Sequence, residues 1–249
     1  MDKKYSAEIH YLFNSGFTVQ TAEHFFIFDY CNANPADTSY GLNAGIIDPV
    51  TLSGLNVSVF ASHAHPDHFI PEILTWSPII HNLRLFLSFD IPLTKEIPNA
   101  AIVFPNRSYN LGDIQIRTLK STDEGVAFLV KADGLTIYHA GDLNWWHWEG
   151  EPESDNRAMA REYKAQIDLL ENEKIDIAFI PVDPRLNREY LWGLDYFMRR
   201  TNSKTVFPMH FGTDFLFFDK LFLDLSPEDY YNNIVRISHR GERFILSTD

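Results

Sequence analysis

Four of the six residues in one short segment have side chains that can bind a metal ion. The segment is His63-Ala64-His65-Pro66-Asp67-His68, and it follows the predicted short strand 57–62 directly. Residues i and i+2 of an extended chain point the same way, so His63 and His65 can reach one cation. Asp67 and His68 follow where the chain turns, and they can face a second cation beside the first. Imidazole and carboxylate suit Zn²⁺, and also Fe²⁺ and Mn²⁺.

The alternative interpretation of this segment is a polar surface loop that happens to contain three histidines. Short motifs do produce such false matches. A bare pair of histidines would be weak support for a metal site. Four possible ligands in six residues, at the end of an apolar strand, favour the metal site.

Two later segments place a possible ligand where a predicted strand ends. In Tyr138-His139-Ala140-Gly141-Asp142 the ligand is Asp142, and in Phe207-Pro208-Met209-His210 it is His210. Each residue has an ordinary interpretation when taken alone. Asp142 would be a turn residue, and His210 would be a core histidine with satisfied hydrogen bonds.

Taken together, the three segments resemble the metallo-β-lactamase-fold hydrolases, whose signature is His-x-His-x-Asp-His. The resemblance extends from the N-terminal hairpins to His210. Within the family, the chain is similar to the lactonase-like branch. It implies an α+β fold, a four-layer αββα sandwich of two mixed β-sheets with a dinuclear metal site at one edge. It also implies that Asp142 bridges the two ions and that His210 binds the second.

One position departs from the family pattern, which usually has a third histidine for the first metal. Here the corresponding region reads Lys120-Ser121-Thr122-Asp123-Glu124-Gly125 and contains no histidine. Asp123 is the best substitute, because a carboxylate oxygen can replace an imidazole. Alternatively, Asp123 only orders the turn, and the first metal is then weak or absent.

The resemblance therefore predicts one or two zinc ions per chain, with Mn²⁺ or Fe²⁺ as alternatives. Asp67 has a second predicted role, which is to orient the nucleophilic water. The predicted ligands of the first ion are His63, His65, Asp142 and Asp123. The predicted ligands of the second ion are Asp67, His68, Asp142 and His210.

Three further residues are predicted to support the ligands or to face the substrate. His139 either orients a ligand by a hydrogen bond or packs at a strand end. Trp145, in the run 144–148, either walls a substrate pocket or buries its ring in a packed loop. Asp183 either supports the site or begins a turn before Pro184. Beside these three, Arg185 either steers an anionic group or forms a surface salt bridge.

Composition limits the possible partners. The chain has 249 residues and a net charge of −13. Nucleic-acid affinity comes largely from Lys and Arg, so a nucleic-acid partner is not expected. No signal peptide and no apolar run long enough for a transmembrane helix is visible, and the only cysteine is Cys31. We therefore expect a cytoplasmic protein that acts on a small molecule away from membranes, and its oligomeric state is left open.

Short strands dominate the first part of the sequence, and strands alternate with helices after it. No linker-like change in composition is visible, which predicts a single domain over 1–249. Helices are predicted at 154–174, 187–199 and 227–235, and a helix is predicted to begin within 69–76.

The predicted function is metal-dependent hydrolysis by a metal-bound hydroxide. By analogy with the family, the substrate is a small-molecule ester, lactone, thioester or phosphodiester. Because a fold does not determine function, an alternative remains. The chain is then a non-catalytic module of the same fold that binds a metal or a small molecule, a hypothesis motivated by the missing third histidine.

Overall fold

The computed structural model describes residues 6–34 and 40–247, which form two mixed β-sheets. The first sheet has seven strands in the spatial order β13-β1-β2-β3-β4-β5-β6. Its strands are β1 (Ser6–Phe13), β2 (Gly16–Gln20), β3 (Phe25–Phe28), β4 (Asn56–Ala61), β5 (Asn82–Ser88), β6 (Ala100–Val103) and β13 (Arg243–Ser247). Strands β3 to β6 run parallel to one another, whereas β13, β1, β2 and β3 are antiparallel neighbours.

The second sheet has six strands in the order β12-β11-β10-β9-β8-β7. Its strands are β7 (Ser108–Leu111), β8 (Ile114–Lys120), β9 (Val126–Ala132), β10 (Leu135–His139), β11 (Ile177–Pro181) and β12 (Thr205–Met209). Strands β10, β11 and β12 are parallel, and β7 to β10 are antiparallel.

Alternating side chains along the strands bury both faces of the seven-stranded sheet. In β3, Phe26 and Phe28 belong to the core between the sheets, whereas Phe25 and Ile27 belong to a second core on the other face. This is the period of two expected for a strand. Because both faces are covered, β3 is an entirely apolar run.

Three α-helices lie within the described residues: α1 (Glu153–Ile167), α2 (Trp192–Thr201) and α3 (Phe217–Leu225). Helix α2 packs on the six-stranded sheet, where Phe197 stacks on Tyr138 with ring centres 5.3 Å apart. The outer face of the seven-stranded sheet is covered instead by 3-10 turns such as Pro71–Thr75. The predicted α+β class is confirmed, and turns form the layer where a helix was expected within 69–76. No helix of the described residues is both long and apolar enough to cross a membrane.

Two of the predicted helices differ from the structure. The first helix ends at Ile167, with a 3-10 turn after it. The prediction for 227–235 is wrong, because that segment contains only the 3-10 turn Tyr231–Asn233. The helix lies earlier, in α3, where Phe217, Leu221 and Leu225 recur every four residues and are buried.

The parallel strands of both sheets deliver polar residues to a single edge of the sandwich. Strands β3 and β4 end there, and the histidine motif follows β4. Strands β10, β11 and β12 end at the same edge and are followed by Asp142, Asp183 and His210. The sheets meet at this edge, because the Val126 amide donates a hydrogen bond to the Ser62 carbonyl oxygen at 2.9 Å.

Phe60 packs centrally between the sheets, and its removal should destabilise the fold. Its ring stacks on Phe28 and Phe86 at 4.8 Å and meets the edge of Phe128 at 5.1 Å. We expect Phe60→Ala to lower the free energy of unfolding by about 3–5 kcal/mol, because it leaves a cavity. Urea denaturation measures this change. The matched control is Phe104→Ala at a ring that is 51% exposed, and equal losses in the two variants would contradict the packing described.

Candidate metal centre

The histidine motif folds into a tight turn that separates two buried ligands from two accessible ones. The amides of His68 and Phe69 both donate hydrogen bonds to the His65 carbonyl oxygen at 3.0 Å. This turn brings His68 back beside His63, and both imidazoles are fully buried. The side chains of His65 and Asp67 remain 43% and 47% exposed. The motif therefore provides both a floor and a rim for the site.

Asp142 lies among the motif histidines because Gly141 allows β10 to end close to Ser62. Gly141 has a φ of +51°, and a Cβ atom there would lie 2.6 Å from the Ser62 Cβ atom. The Asp142 carboxylate is 3.2 Å from His68 Nε2 and 3.6 Å from His63 Nε2. A side chain at position 141 would push the carboxylate away from both rings.

His210 approaches the same carboxylate from the end of β12. Its Nε2 atom lies 3.6 Å from Asp142 Oδ1 and 3.7 Å from Asp67 Oδ2. Its backbone has a φ of +68°, a conformation that non-glycine residues adopt at a cost and that occurs most often at functional sites. Its Nδ1–H group donates to Asp183 at 2.9 Å.

Asp123 occupies the place where the family pattern has a third histidine. Its carboxylate lies 4.0 Å from His65 Nδ1, and it belongs with His65 and Asp142 to a set of ligand atoms within 4.8 Å of one another. Glu124, which the sequence did not point to, lies 3.7 Å from His65 Nε2. Burial, and the charge of Asp142, raise the pKa of Asp123.

The predicted ligands converge on Asp142. Two more sets of three ligand atoms, each within 4.8 Å, join the one that contains Asp123. These are His63, His68 and Asp142, and Asp67, His68 and His210. The structure thus brings together all seven side chains that the sequence singled out as metal ligands.

Three buried atoms of this cluster have no hydrogen-bond partner among the described residues: His63 Nε2, His68 Nε2 and Asp142 Oδ1. Buried polar atoms without partners are costly. A divalent cation would satisfy all three, since imidazole nitrogen and carboxylate oxygen are its usual ligands. The donor set therefore fits a metal ion.

Hydrogen bonds fix which nitrogen of each buried histidine faces the cluster. His68 Nδ1–H donates to Asp29 at 2.7 Å. The Ser62 hydroxyl donates to Asp29 at 2.6 Å, so it accepts from His63 Nδ1–H at 2.9 Å. Like His210, both rings therefore present an unprotonated Nε2 when neutral, which is the form that binds metal.

Buried charges shift the titration of these groups in opposite directions. Burial, together with His68, lowers the pKa of His63. Burial would also lower the pKa of His68, but Asp142 and Asp29 outweigh it and raise that pKa well above its usual value. The buried carboxylate of Asp142 has a lowered pKa, because His68 and His210 offset the effect of burial. Both Asp142 and Asp29 therefore remain ionised, as a cation site needs.

Asp29 is the main functional residue that the sequence analysis missed. It follows β3, is fully buried, and has a φ of +43°. Its carboxylate accepts from the Ser62 amide at 2.7 Å, from the Ser62 hydroxyl and from His68. Burial would raise its pKa, but His139 and His68 lower it. The available signal was an acid placed directly after an all-apolar strand.

Asn14 is a second missed residue. It lies in the turn between β1 and β2, and its side-chain amide donates to Asp67 Oδ2 at 3.1 Å. The two partners are 53 positions apart in the sequence, so no local pattern connects them. Asn14 therefore orients Asp67, which is the acidic residue of the histidine motif and lies on the rim of the site.

The three supporting residues have different outcomes. Asp183 holds His210, as described above. His139 contacts no ligand directly: its Nε2–H donates to the Ser15 carbonyl oxygen at 2.8 Å, and its Nδ1 accepts from the Gly141 amide at 3.1 Å. It fixes the turn that presents Asp142.

Trp145 does not face the site. Its ring packs against Trp192 at 5.1 Å and Tyr163 at 6.4 Å, toward α1 and α2. The aromatic wall beside the ligands consists instead of Trp146 and Trp148, whose rings are parallel within 3°. The loop 144–148 therefore serves as packing on one side and as pocket wall on the other.

Two cavities open onto the ligand cluster. The first, of about 160 Å³, is lined by Thr122, Asp123, Asp142, Trp146, Trp148, Met159, Arg185 and His210. The second is wider, about 460 Å³, and is lined by Phe13, Asn14, Asp67, Asp183, Pro184, Arg185, His210, Phe211, Gly212 and Asp214. A small molecule can therefore approach His210 from either cavity, and Asp142 from the smaller one.

The fold and this ligand cluster define a class of protein that comparison with known families also finds. The family model described as the beta-lactamase superfamily domain matches residues 8–147, so the chain belongs to this superfamily. The chain is 26% identical over 204 residues to a UPF0173 metal-dependent hydrolase of Methanospirillum hungatei JF-1, over 75% of this chain and 81% of that protein. The family that the sequence resembled is thus confirmed.

Solved structures share the fold over nearly the whole chain. Igni18, a novel metallo hydrolase from Ignicoccus hospitalis, has a TM-score of 0.62 at 14% identity, covering 98% of this chain and 100% of that one. CmlA, a diiron beta-hydroxylase from Streptomyces venezuelae, has a TM-score of 0.62 at 12% identity, covering 100% of this chain and 55% of that one. At these identities the likeness shows the fold alone.

Asp29 should control metal affinity without binding the metal. Asp29→Asn keeps an acceptor for the Ser62 amide but cannot accept from both Ser62 and His68 at its second oxygen. We expect metal affinity to fall about 10–100-fold, because partners that orient a ligand have effects of this size. Competition with a chromogenic chelator measures it. The control is Asp113→Asn in the β7–β8 turn, which pairs with His24, and unchanged affinity in Asp29→Asn would refute the role.

Proposed function

We propose that this chain is a metal-dependent hydrolase that acts on a small-molecule ester, lactone, thioester or phosphodiester. The observation that supports it best is the convergence of three buried atoms, His63 Nε2, His68 Nε2 and Asp142 Oδ1. None of them has a hydrogen-bond partner among the described residues. Membership of the beta-lactamase superfamily and similarity to a UPF0173 metal-dependent hydrolase support the same activity. Cytoplasmic location and a single domain remain part of the proposal.

The site is proposed to hold two ions that share Asp142. His63, His65 and Asp123 complete the first set, and Asp67, His68 and His210 complete the second. Zinc is the proposed metal, since imidazole and carboxylate suit it. A carboxylate is a harder ligand than an imidazole. With Asp123 in place of a third histidine, the first set therefore also suits Mn²⁺ or Fe²⁺.

The side chains of the site have different roles in the proposed hydrolysis. A bound divalent cation would lower the pKa of a water ligand and polarise the group under attack. Asp67 lies on the rim, where it accepts a hydrogen bond from the attacking water and orients it. Asn14 holds Asp67 in place at 3.1 Å, while Asp183 holds His210. Water adds across the ester or phosphodiester bond, so no further reactant is needed.

The acidic character of the chain favours small substrates over nucleic acid. Its net charge is −13, and nucleic-acid affinity depends on Lys and Arg that neutralise phosphates. The smaller cavity, about 160 Å³, has the dimensions of a single ring with a short substituent. These features support a small-molecule substrate.

The ligand role of Asp123 predicts a change in metal stoichiometry. We expect two metal ions per wild-type chain and about one in Asp123→Ala, because the first set then loses one of its carboxylates. Elemental analysis of the purified protein after reconstitution with zinc measures both. Glu124→Ala is the matched comparison, since Glu124 also approaches His65. Loss of the ion in Glu124→Ala alone would assign the ligand to the neighbouring residue.

The proposed activity predicts metal-dependent turnover on a panel of one ester, one lactone, one thioester and one phosphodiester. At least one member should be hydrolysed, and treatment with a chelator followed by zinc should remove and restore the rate. We expect Asp67→Asn to lower kcat/KM at least ~100-fold, because it loses the group that orients the water. Exposed Asp229→Asn serves as the control.

A second candidate is a metal- or small-molecule-binding module without catalysis. The half-exposed carboxylate of Asp123, 4.0 Å from His65, favours it, because a weak first set would leave only one ion. A single ion per chain with no turnover of any panel member would support this module and exclude the hydrolase.

A further inference from the structure

One cationic side chain stands at the mouth of an acidic site. Arg185 borders both cavities that open onto the ligand cluster, and it is the only Lys or Arg among their described lining residues. Apart from Arg185 and His210, the ionisable side chains that line the two cavities are carboxylates. An anionic group entering either cavity would therefore meet a single fixed positive side chain.

Arg185 is held in place so that one edge of its guanidinium stays available. Its Nε–H donates to both oxygens of Asp183, at 3.0 and 2.9 Å, and Nη2 also donates to Asp183. Its Nη1 has no hydrogen-bond partner within residues 6–34 and 40–247, and the side chain is 65% exposed. The guanidinium carbon lies 5.7 Å from the centre of the Trp148 ring.

The smaller cavity beside Arg185 has an apolar wall suited to a flat group. Trp146 and Trp148 are stacked with ring centres 6.0 Å apart, and Met159 of α1 also lines the space. The Trp146 indole N–H donates to the Asp142 carbonyl oxygen at 2.9 Å, so this wall is tied to the ligand loop. A cavity of about 160 Å³ is large enough for a benzene-sized ring.

We propose that the substrate is an anionic ester with a ring-sized apolar group, an inference that rests on the proposed hydrolase function. The ring lies against Trp148 and Met159, the bond to be cleaved lies over Asp142 and His210, and the anionic group is received by Arg185 Nη1. Arg185 is thus a specificity-determining residue. The competing explanation is that Arg185 acts only through Asp183, as a positioning residue for His210.

The test compares two probes that differ in charge and hardly in shape, benzenesulfonate and neutral methyl phenyl sulfone. Their affinities for zinc-replete protein are measured by isothermal titration calorimetry in the wild type, Arg185→Gln and Arg188→Gln. The last is the matched control, an exposed arginine three positions along. We expect Arg185→Gln to weaken benzenesulfonate about five- to tenfold, the size of a partly exposed charge-assisted hydrogen bond, and to leave the sulfone unchanged.

The remaining outcomes decide against the proposal. Equal weakening of both probes, with loss of an ion by elemental analysis, would make Arg185 a positioning residue. Unchanged benzenesulfonate affinity in Arg185→Gln, or no binding of either probe to the wild type, would also overturn it. Trp148→Ala should weaken both probes, since it removes the wall that they share.

Binding and turnover are measured separately, so the two proposals can fail independently. A wild type that prefers benzenesulfonate through Arg185 but hydrolyses no member of the panel would refute the hydrolase and keep the anion site. Hydrolysis of panel esters with no effect of Arg185→Gln on benzenesulfonate would keep the hydrolase and refute the anion site.

Discussion

Ser62 lies in the narrow gap between the two sheets, where its carbonyl oxygen accepts a hydrogen bond from the Val126 amide. A Cβ atom at Gly125 would lie 1.9 Å from that oxygen, and one at Gly141 would lie 2.6 Å from the Ser62 Cβ atom. Both glycines also have positive φ. The loop bearing Asp123 and the loop bearing Asp142 therefore reach the histidine motif only because neither glycine carries a side chain.

In the ligand cluster, buried carboxylates and imidazoles stabilise one another's charge. His68 lies between Asp29 and Asp142, and each carboxylate stays ionised because imidazoles surround it. A carboxylate behind a predicted histidine ligand recurs at His210, where Asp183 has the same position. By contrast, no hydrogen bond to a buried carboxylate fixes His65 within the described part of the chain. The second ligand set is therefore better preorganised than the first.

The sequence was most informative where the chemistry is local. The motif 63–68 contains its own turn, so the spacing alone predicted that its ligands converge. Asp29 and Asn14 lay beyond such reasoning, because their partners depend on which strands become neighbours. The β3–β4 pairing that places Asp29 beside Ser62 joins residues 33 positions apart.

The wrong predictions have the same cause, since they concern features that depend on tertiary structure. Which tryptophan of the loop 144–148 faces the pocket depends on the path of an irregular backbone, so Trp145 and Trp146 could not be distinguished by periodicity. In the C-terminal region, the local sequence pattern placed the predicted helix at 227–235. The buried apolar face of Phe217–Leu225 determined the real one. Tertiary burial outweighed the local signal there.

His139 joins the two sheets through a single ring. Its Nε2–H is committed to the Ser15 carbonyl oxygen and its Nδ1 to the Gly141 amide, while Phe28 stacks parallel to it with ring centres 5.2 Å apart. Burial lowers its pKa. Loss of the Nε2 proton would break the bond to Ser15 that joins the sheets, and protonation of Nδ1 would break the bond to Gly141. Both ring nitrogens are therefore occupied, and His139 holds the structure together rather than transferring protons. Solvent reaches the ligand cluster from the other side, where the side chains of Asp67 and Asp123 are half exposed.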